Sequence, residues 1–327
     1  MSCAPQPKPI PGVEVRGVVL SPNGQPAVDA EVALEVEGRY LYLGKGVFRP
    51  SGLPEEGLVV SAGRDGSFVL PMYEGAQSIV AVNEDGFATV SIEQSKASGQ
   101  IALRRWGRIE GTLRAGRHVG TSEHVRLQPA MAEGPIHGSE AFEAKPDEQG
   151  RFAITFVPSG RYILNRHFLS DENHWSMSHL AAVDVRAGET TVTNVGGIGR
   201  TVVGKVKTAE RVALDSRNAG AWITTLSFKN LEKGWRLRTH AEQAAYFQST
   251  EYRSANTDRR TFSAHVSADG SFRADDVLPG MYEFQWHATP TLISVREFLV
   301  PEAGDKGDDR PVDWGEVELR KVNYPSQ

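Results

Sequence analysis

The densest concentration of chemistry-capable side chains lies between residues 167 and 179. His167, His174 and His179 stand there with Asp171 and Glu172. Neutral imidazoles and carboxylates are ligands for zinc and other transition metals. Their spacing matches no familiar zinc motif, and the His-Glu-x-x-His pattern of a helical zinc site is absent. We therefore read the segment as a solvated loop between two strands, with the three histidines as weak metal candidates only. A second grouping is aromatic: Trp222, Trp235, Tyr246, Phe247 and Tyr252, beside Arg236, Arg238 and Arg253. Exposed rings of this kind stack on sugars, so Trp222, Trp235, Tyr246 and Tyr252 form a candidate ligand surface. The bland alternative is a helix packed on a sheet, because each ring buries a large apolar area.

Weaker signals complete the survey. Arg104, Arg105, Arg108, Arg114 and Arg117 could hold an acidic partner, or be the solvent face of alternating strands where cations block stray pairing. Gly196-Gly197-Ile198-Gly199 imitates a phosphate loop. The residues after it, Thr201-Val202-Val203, restart a strand rather than a helix, so it reads as a linker. Acidic pairs such as Asp275-Asp276 read as solvated loop residues. There is no Gly-x-Ser-x-Gly and no Gly-Lys-Ser/Thr. The expectation is a non-catalytic chain without a cofactor.

These residues are held by a repeated β pattern. Asp65-Gly66-Ser67-Phe68, Gln149-Gly150-Arg151-Phe152 and Asp269-Gly270-Ser271-Phe272 are copies of one turn. Asp-Gly at a hairpin supplies positive φ without steric cost, and the following Phe re-enters the core. Upstream of each copy is a strand centred on a glycine: Gly17, Gly111 and Gly204, 94 and 93 residues apart. Short alternating runs such as Val32-Leu34-Val36 and Phe152-Ile154-Phe156, punctuated by Gly and Pro, fit antiparallel sandwiches. The fold expected is all-β: three tandem antiparallel sandwich modules at 13–105, 106–198 and 199–322, between a Pro-rich tail (1–12) and a short tail (323–327). Residues 230–260 read as a helical insertion, since Leu237, Ala241, Ala244, Ala245 and Phe247 fall near helical spacing. Elsewhere no helix is expected, and 44–58 reads as a loop.

Composition narrows the function classes. Of 327 residues, 24% are charged and 39% hydrophobic, with a net charge of -5. A phosphate-tracking surface would be basic, so nucleic acid is not the expected partner. No apolar run approaches the roughly 20 residues that span a bilayer. A single cysteine, Cys3, allows neither an internal disulfide nor a multi-cysteine zinc site. Cys3 lies in a tether-like stretch, Ala4-Pro5-Gln6-Pro7-Lys8-Pro9, and is either an incidental thiol or a lipid-anchor site.

Residues 17–34, Gly-Val-Val-Leu-Ser-Pro-Asn-Gly-Gln-Pro-Ala-Val-Asp-Ala-Glu-Val-Ala-Leu, resemble the start of a carboxypeptidase regulatory-like domain. Gly63-Arg64-Asp65-Gly66-Ser67-Phe68 is similar to that family's second phrase. Val157-Pro158-Ser159-Gly160-Arg161-Tyr162 and Val277-Leu278-Pro279-Gly280-Met281-Tyr282 are similar to its third. The resemblance is close in module one and partial in the other two, which lack the Gly-x-Pro hairpin. It implies a transthyretin-like sandwich, no peptidase activity, and a place outside the cytoplasm in bacterial multidomain proteins. It further implies a spacer or interaction module with a protein or glycan partner, within a longer chain or alone.

Overall fold

The computed structural model describes residues 8–36, 41–49, 59–115, 118–120, 123–129, 142–171, 174–208, 220–225, 233, 239–255, 260–287, 292–302 and 310–321. The fold is all-β with a few short helices. One construction recurs three times. The opening strands are Pro9–Leu20, Gly107–Ala115 and Arg200–Thr208. Each pairs antiparallel with the strand that follows the repeated turn: Ser67–Tyr73, Arg151–Val157 and Ser271–Val277. In every copy the central glycine lies directly opposite the turn phenylalanine, as Gly17↔Phe68, Gly111↔Phe152 and Gly204↔Phe272.

That register explains the glycines. A Cβ on Gly17 would stand 3.0 Å from both the Phe68 ring and the Gly99 carbonyl oxygen. On Gly111 it would meet Thr193 O at 1.5 Å and the Phe152 ring at 3.1 Å. On Gly204 it would meet the Phe272 ring at 2.7 Å and Gly315 O at 2.9 Å. The missing side chain thus admits two neighbours at once, the buried ring and backbone that belongs to a closing strand or, at Gly17, immediately precedes it. The closing strands Gln100–Ala102, Thr190–Val195 and Val312–Lys321 pair in parallel with the openers. This corrects a purely antiparallel expectation: first and last strands of each module run the same way, joined by the chain that builds the rest of the sandwich.

The turn is fastened to the same strand. Gly66, Gly150 and Gly270 sit at φ 75, 79 and 84. Their carbonyls accept from Val19, Leu113 and Val206 N–H, two residues beyond each strand glycine. A carboxylate organises each loop. Asp65 and Asp269 accept the amides of Ser67 and Ser271, both at 3.0 Å. In the second copy Asp147, not Gln149, supplies it, accepting Gln149 and Arg151 amides at 3.0 and 2.8 Å.

Modules one and two are each two packed sheets. In module one these follow the orders opener-centred Ser67–Tyr73, Pro9–Leu20, Gln100–Ala102, and a five-stranded sheet around Glu31–Val36, Ala76–Asn83 and Gly86–Ser91. Module three closes further. Gly220–Thr224 pairs with both Thr261–Val266 and Gly280–His287, and the long closing strand reaches Leu292–Ser294, so its strands form a ring. Its core holds Phe262, Tyr282, Phe284 and Trp286, all 2% exposed or less. The cores are not separate beads: the cluster around Ile109, Leu127 and Phe152 continues into Ala33, Leu43, Val80 and Val82 of module one. Hence Ile79 through Val82 are all buried, with both faces of that strand covered.

Helices depart from expectation in two places. Ile92–Ser98 is helical, capped reciprocally by Ser91 and Gln94 and ended by Gly99 at φ 65. Its signal, Ser-x-x-Gln ahead of the run, is the capping box. The helix delivers Gly99 O to the opening strand, where it accepts Val18 N–H at 2.9 Å. The expected insertion helix is two helices, His240–Gln248 and Thr250–Ala255. Ser249, at ψ 153, breaks them, and its hydroxyl accepts Tyr252 N–H. At the start of the expected loop 44–58, Leu43–Gly44 and Val47–Phe48 pair as a tight hairpin. Its turn residues Lys45 and Gly46 have φ 52 and 82.

Two outcomes follow. Gly111→Ala should destabilise the chain by more than Gly17→Ala, the latter by roughly 1–3 kcal/mol, because its Cβ would come within 1.5 Å of the Thr193 carbonyl oxygen whereas that of Gly17 would stand 3.0 Å from its nearest neighbours. Urea unfolding with probes in each module measures this, and equal losses would refute it. Hydrogen bonds from Ser67 hold the Asp65 carboxyl below its ordinary range, and those from Ser271 do the same for Asp269. For Asp147 the leading cause is the Arg151 amide. A carboxyl depressed in the folded state stabilises it above the unfolded pKa of about 3.9, and that contribution is lost as pH falls through the folded value. Asp269→Asn should therefore flatten the fall in stability below pH ~4, read by urea melts from pH 6 to pH 2.5.

Candidate functional site

The histidine-rich segment is a hairpin, not a loop. Gly160–Asp171 and His174–Val185 pair along their length, with His167 opposite Met177 and His174 opposite Asp171. The register thus sets His174 at the tip, four residues or about 13 Å along the strand from His167. The side chains of His174 and His179 lie outside the described residues. His167 is instead paired across the sheet with His124, which contacts Glu143. Burial, then the Arg126 guanidinium, pushes the His167 imidazole below its ordinary pKa. Among the described residues no three potential ligand side chains gather for a metal ion.

Sequence reasoning missed the ionic pair at the core side of the same sheet. Arg166 is bidentate to Glu123 at 2.5 and 2.7 Å, with both side chains largely buried. Nothing in the spacing of residues 123 and 166 signals it.

The aromatic group is split. Trp222 is half-buried on Gly220–Thr224, its ring folded over Gly220, where a Cβ would lie 2.3 Å away. Tyr246, Phe247 and Tyr252 pack on one another across the helix break at centroid distances of 5.5, 5.5 and 4.9 Å. The Tyr246 and Tyr252 rings meet at 59°, so they do not share a stacking plane. Trp235 lies outside the described residues.

The tyrosines of the third family-like phrase are corner residues. Tyr162 OH donates to Pro158 O at 2.9 Å, and Tyr282 OH to Leu278 O at 2.8 Å. Burial pushes both phenols above their ordinary pKa. Gly160, which precedes Tyr162, is not left-handed. The tyrosine ring lies over it instead, 3.5 Å from where a Cβ would stand.

The two junctions both use one bulge position. In Arg151–Val157 and Ser271–Val277 the register slips against the opening strand, and the extra residue is left-handed: Phe156 at φ 57 and Asp276 at φ 59. Such a conformation costs about 1–3 kcal/mol outside glycine, so the surroundings must hold it. Phe156 turns toward module one and packs on Trp106 at 5.9 Å, while Trp106 Nε1 donates to Asn83 O at 2.8 Å and its ring meets Phe87 at 5.5 Å. Asp276, 1% exposed, turns toward module two: Gly197 N–H donates to Oδ2 at 2.6 Å and Gly199 N–H to Oδ1 at 2.7 Å. The phosphate-loop imitation is therefore an anion nest filled by the chain's own carboxylate. Asp276 is buried, correcting its reading as a solvated acid. Ser263 Oγ also donates to Met177 O at 2.9 Å across this junction.

Beside the Trp106 junction opens a cleft of about 720 Å³. Ser21, Asn23, Glu84, Asp85, Arg105, Arg108 and Thr155 give it polar walls, and Trp106 and Phe156 its aromatic part.

No family model matches the chain, and no curated protein matches it. Among solved structures it is similar to the Bacillus anthracis TIE protein, at 10% identity and a TM-score of 0.25, over 94% of this chain and 50% of that one. It is similar to the minor pilin of Streptococcus agalactiae at 14% identity and a TM-score of 0.22, over 68% of this chain and 98% of the pilin. A third is the shaft pilin SpaA of Lactobacillus rhamnosus GG, at 8% identity and a TM-score of 0.22, over 57% and 98%. The chain spans about half the length of the first. Superpositions this loose assign no family and carry no argument about function.

Removing one acceptor should loosen the second junction. Asp276→Ala removes the acceptor of two half-buried glycine amides, at up to roughly 1–3 kcal/mol for each group. Hydrogen exchange should rise at Gly197 and Gly199 while Leu113 and Val125 stay protected. Unchanged glycine exchange would show that the nest is held by other contacts.

Proposed function

We propose that this chain is a non-catalytic spacer and interaction protein of the carboxypeptidase regulatory-like type, with a place outside the cytoplasm at the cell envelope. The observation that carries the reading is the pair of junction clasps. A spacer must fix one module relative to the next, and Phe156 and Asp276 place a strained residue at the same bulge in successive modules to do so. Strain is maintained only where the surroundings over-determine it. Shared apolar packing between modules one and two adds to the same end.

The use of the reactive groups is consistent with this. Among the described residues, those with shifted titration are mostly folding devices: Asp65, Asp147 and Asp269 order turns, and Tyr162 and Tyr282 close corners. No described helix is long and apolar enough to cross a membrane. The resemblance of residues 17–34 supports the family and the compartment.

Spin labels on exposed sites of modules one and three test the clasps. The native chain should give one narrow distance distribution. Phe156→Ala and Asp276→Ala should each broaden it while the turn and corner amides of each module stay protected. A broad distribution in the native chain would overturn the spacer reading. Fractionation of source cells tests the compartment independently, with a purely cytoplasmic protein counting against it.

A further inference from the structure

The cleft beside Trp106 has the chemistry of a ligand site. Its volume of about 720 Å³ falls in the range of small-molecule sites, roughly 300–1,000 Å³. It is also preformed. The indole is fixed by its bond to Asn83 O and by Phe87 and Phe156 on its flanks, which lowers the entropy lost on binding.

The polar lining is balanced but not self-satisfied. Arg105 lies across the ladder from Gly86, next to the exposed Asp85 and Glu84. Even so, among the described residues Glu84, Asp85 and Arg105 form no ion pair, while Arg108 is held by Glu110 at 2.5 Å. The cleft therefore offers carboxylate acceptors and a guanidinium donor side by side, at little net charge, around a fixed aromatic ring.

Ligand classes separate on that chemistry. A nucleic acid or anionic polymer would be repelled by Glu84 and Asp85. An extended peptide binds best by adding to an open strand edge, whereas the edge strand at the cleft, Arg104–Arg105, is two residues long and Ser21, Asn23, Glu84, Asp85 and Gly188 belong to turns. A hydroxyl both donates and accepts, so a polyhydroxylated neutral molecule uses both kinds of wall, and its C–H face suits the flat ring. We propose that this cleft binds a neutral saccharide, one ring lying against Trp106 and its hydroxyls shared among Glu84, Asp85 and Arg105. The site differs from the module-three aromatics singled out in the sequence, and it does not rest on the spacer reading.

Native affinity electrophoresis of the full chain tests this. The gels contain soluble amylose, xylan, β-glucan or galactomannan, with polygalacturonate as the charged control. The expected result is retardation by at least one neutral polymer. Glu84→Ala with Asp85→Ala, and separately Arg105→Ala, should weaken binding about tenfold or more, the loss of one to two hydrogen bonds to charged groups. These side chains are exposed, so the thermal melt should not move, and Trp222→Phe should bind as the native chain does. Absence of retardation in all four neutral gels would overturn the proposal. So would retardation that the cleft variants leave unchanged, or retardation by polygalacturonate alone. The spin-label distances report the spacer role separately from either result.

Discussion

The structure depends on one contact, a phenylalanine ring laid across a strand at the point where that strand has no side chain. Phe68, Phe152 and Phe272 each face a glycine, and the glycine lets a closing strand approach its other flank. Without the gap, ring and carbonyl would compete for one position. With it, the opening strand is paired on both sides and the turn glycine locks onto the same strand two residues later. Burying such a ring is worth about 3–5 kcal/mol against alanine, a large share of what a module of this size has to spare.

The same strands carry the junctions. In modules two and three the slip falls in the partner of the opening strand, near the end of that partner. The residue expelled there points at the preceding module. Phenylalanine in that position gives an apolar clasp with Trp106, and aspartate gives a charged one with Gly197 and Gly199. Aspartate tolerates the left-handed region better than phenylalanine does. Phe156 must therefore be held by packing, while Asp276 is held by two amide donors. One backbone device thus serves two kinds of interface, and the first of them leaves the Trp106 cleft beside it.

Much of this was legible beforehand. The turn copies, the strand glycines and their spacing announced repeated β-modules because φ and close packing restrict those positions to glycine. The helix Ile92–Ser98 was missed, although Ser91-Ile92-Glu93-Gln94 carries a capping box, because apolar alternation at Val90 and Ile92 imitated a strand. The histidine hairpin was misread because polar residues on a long two-stranded arm look like loop composition. Asp276 was misread because an acid beside another acid in a polar stretch carries no sign that two amides from a linker 77 and 79 residues away will cover it.

The sequence by itself determined the elements that local sterics control: the all-β class, the three turns and the glycine at the centre of each opening strand. Tertiary structure alone decided which side chains meet. It joined the core of module one to that of module two through both faces of one strand. It closed the strands of module three into a ring, filled the glycine nest with Asp276, and gathered Glu84, Asp85, Arg105 and Trp106 around one cleft. Local patterns fix φ, ψ and the alternation of faces within a few residues. Contacts between residues tens of positions apart depend on strand register and bulges, and a one-residue slip redirects every side chain beyond it.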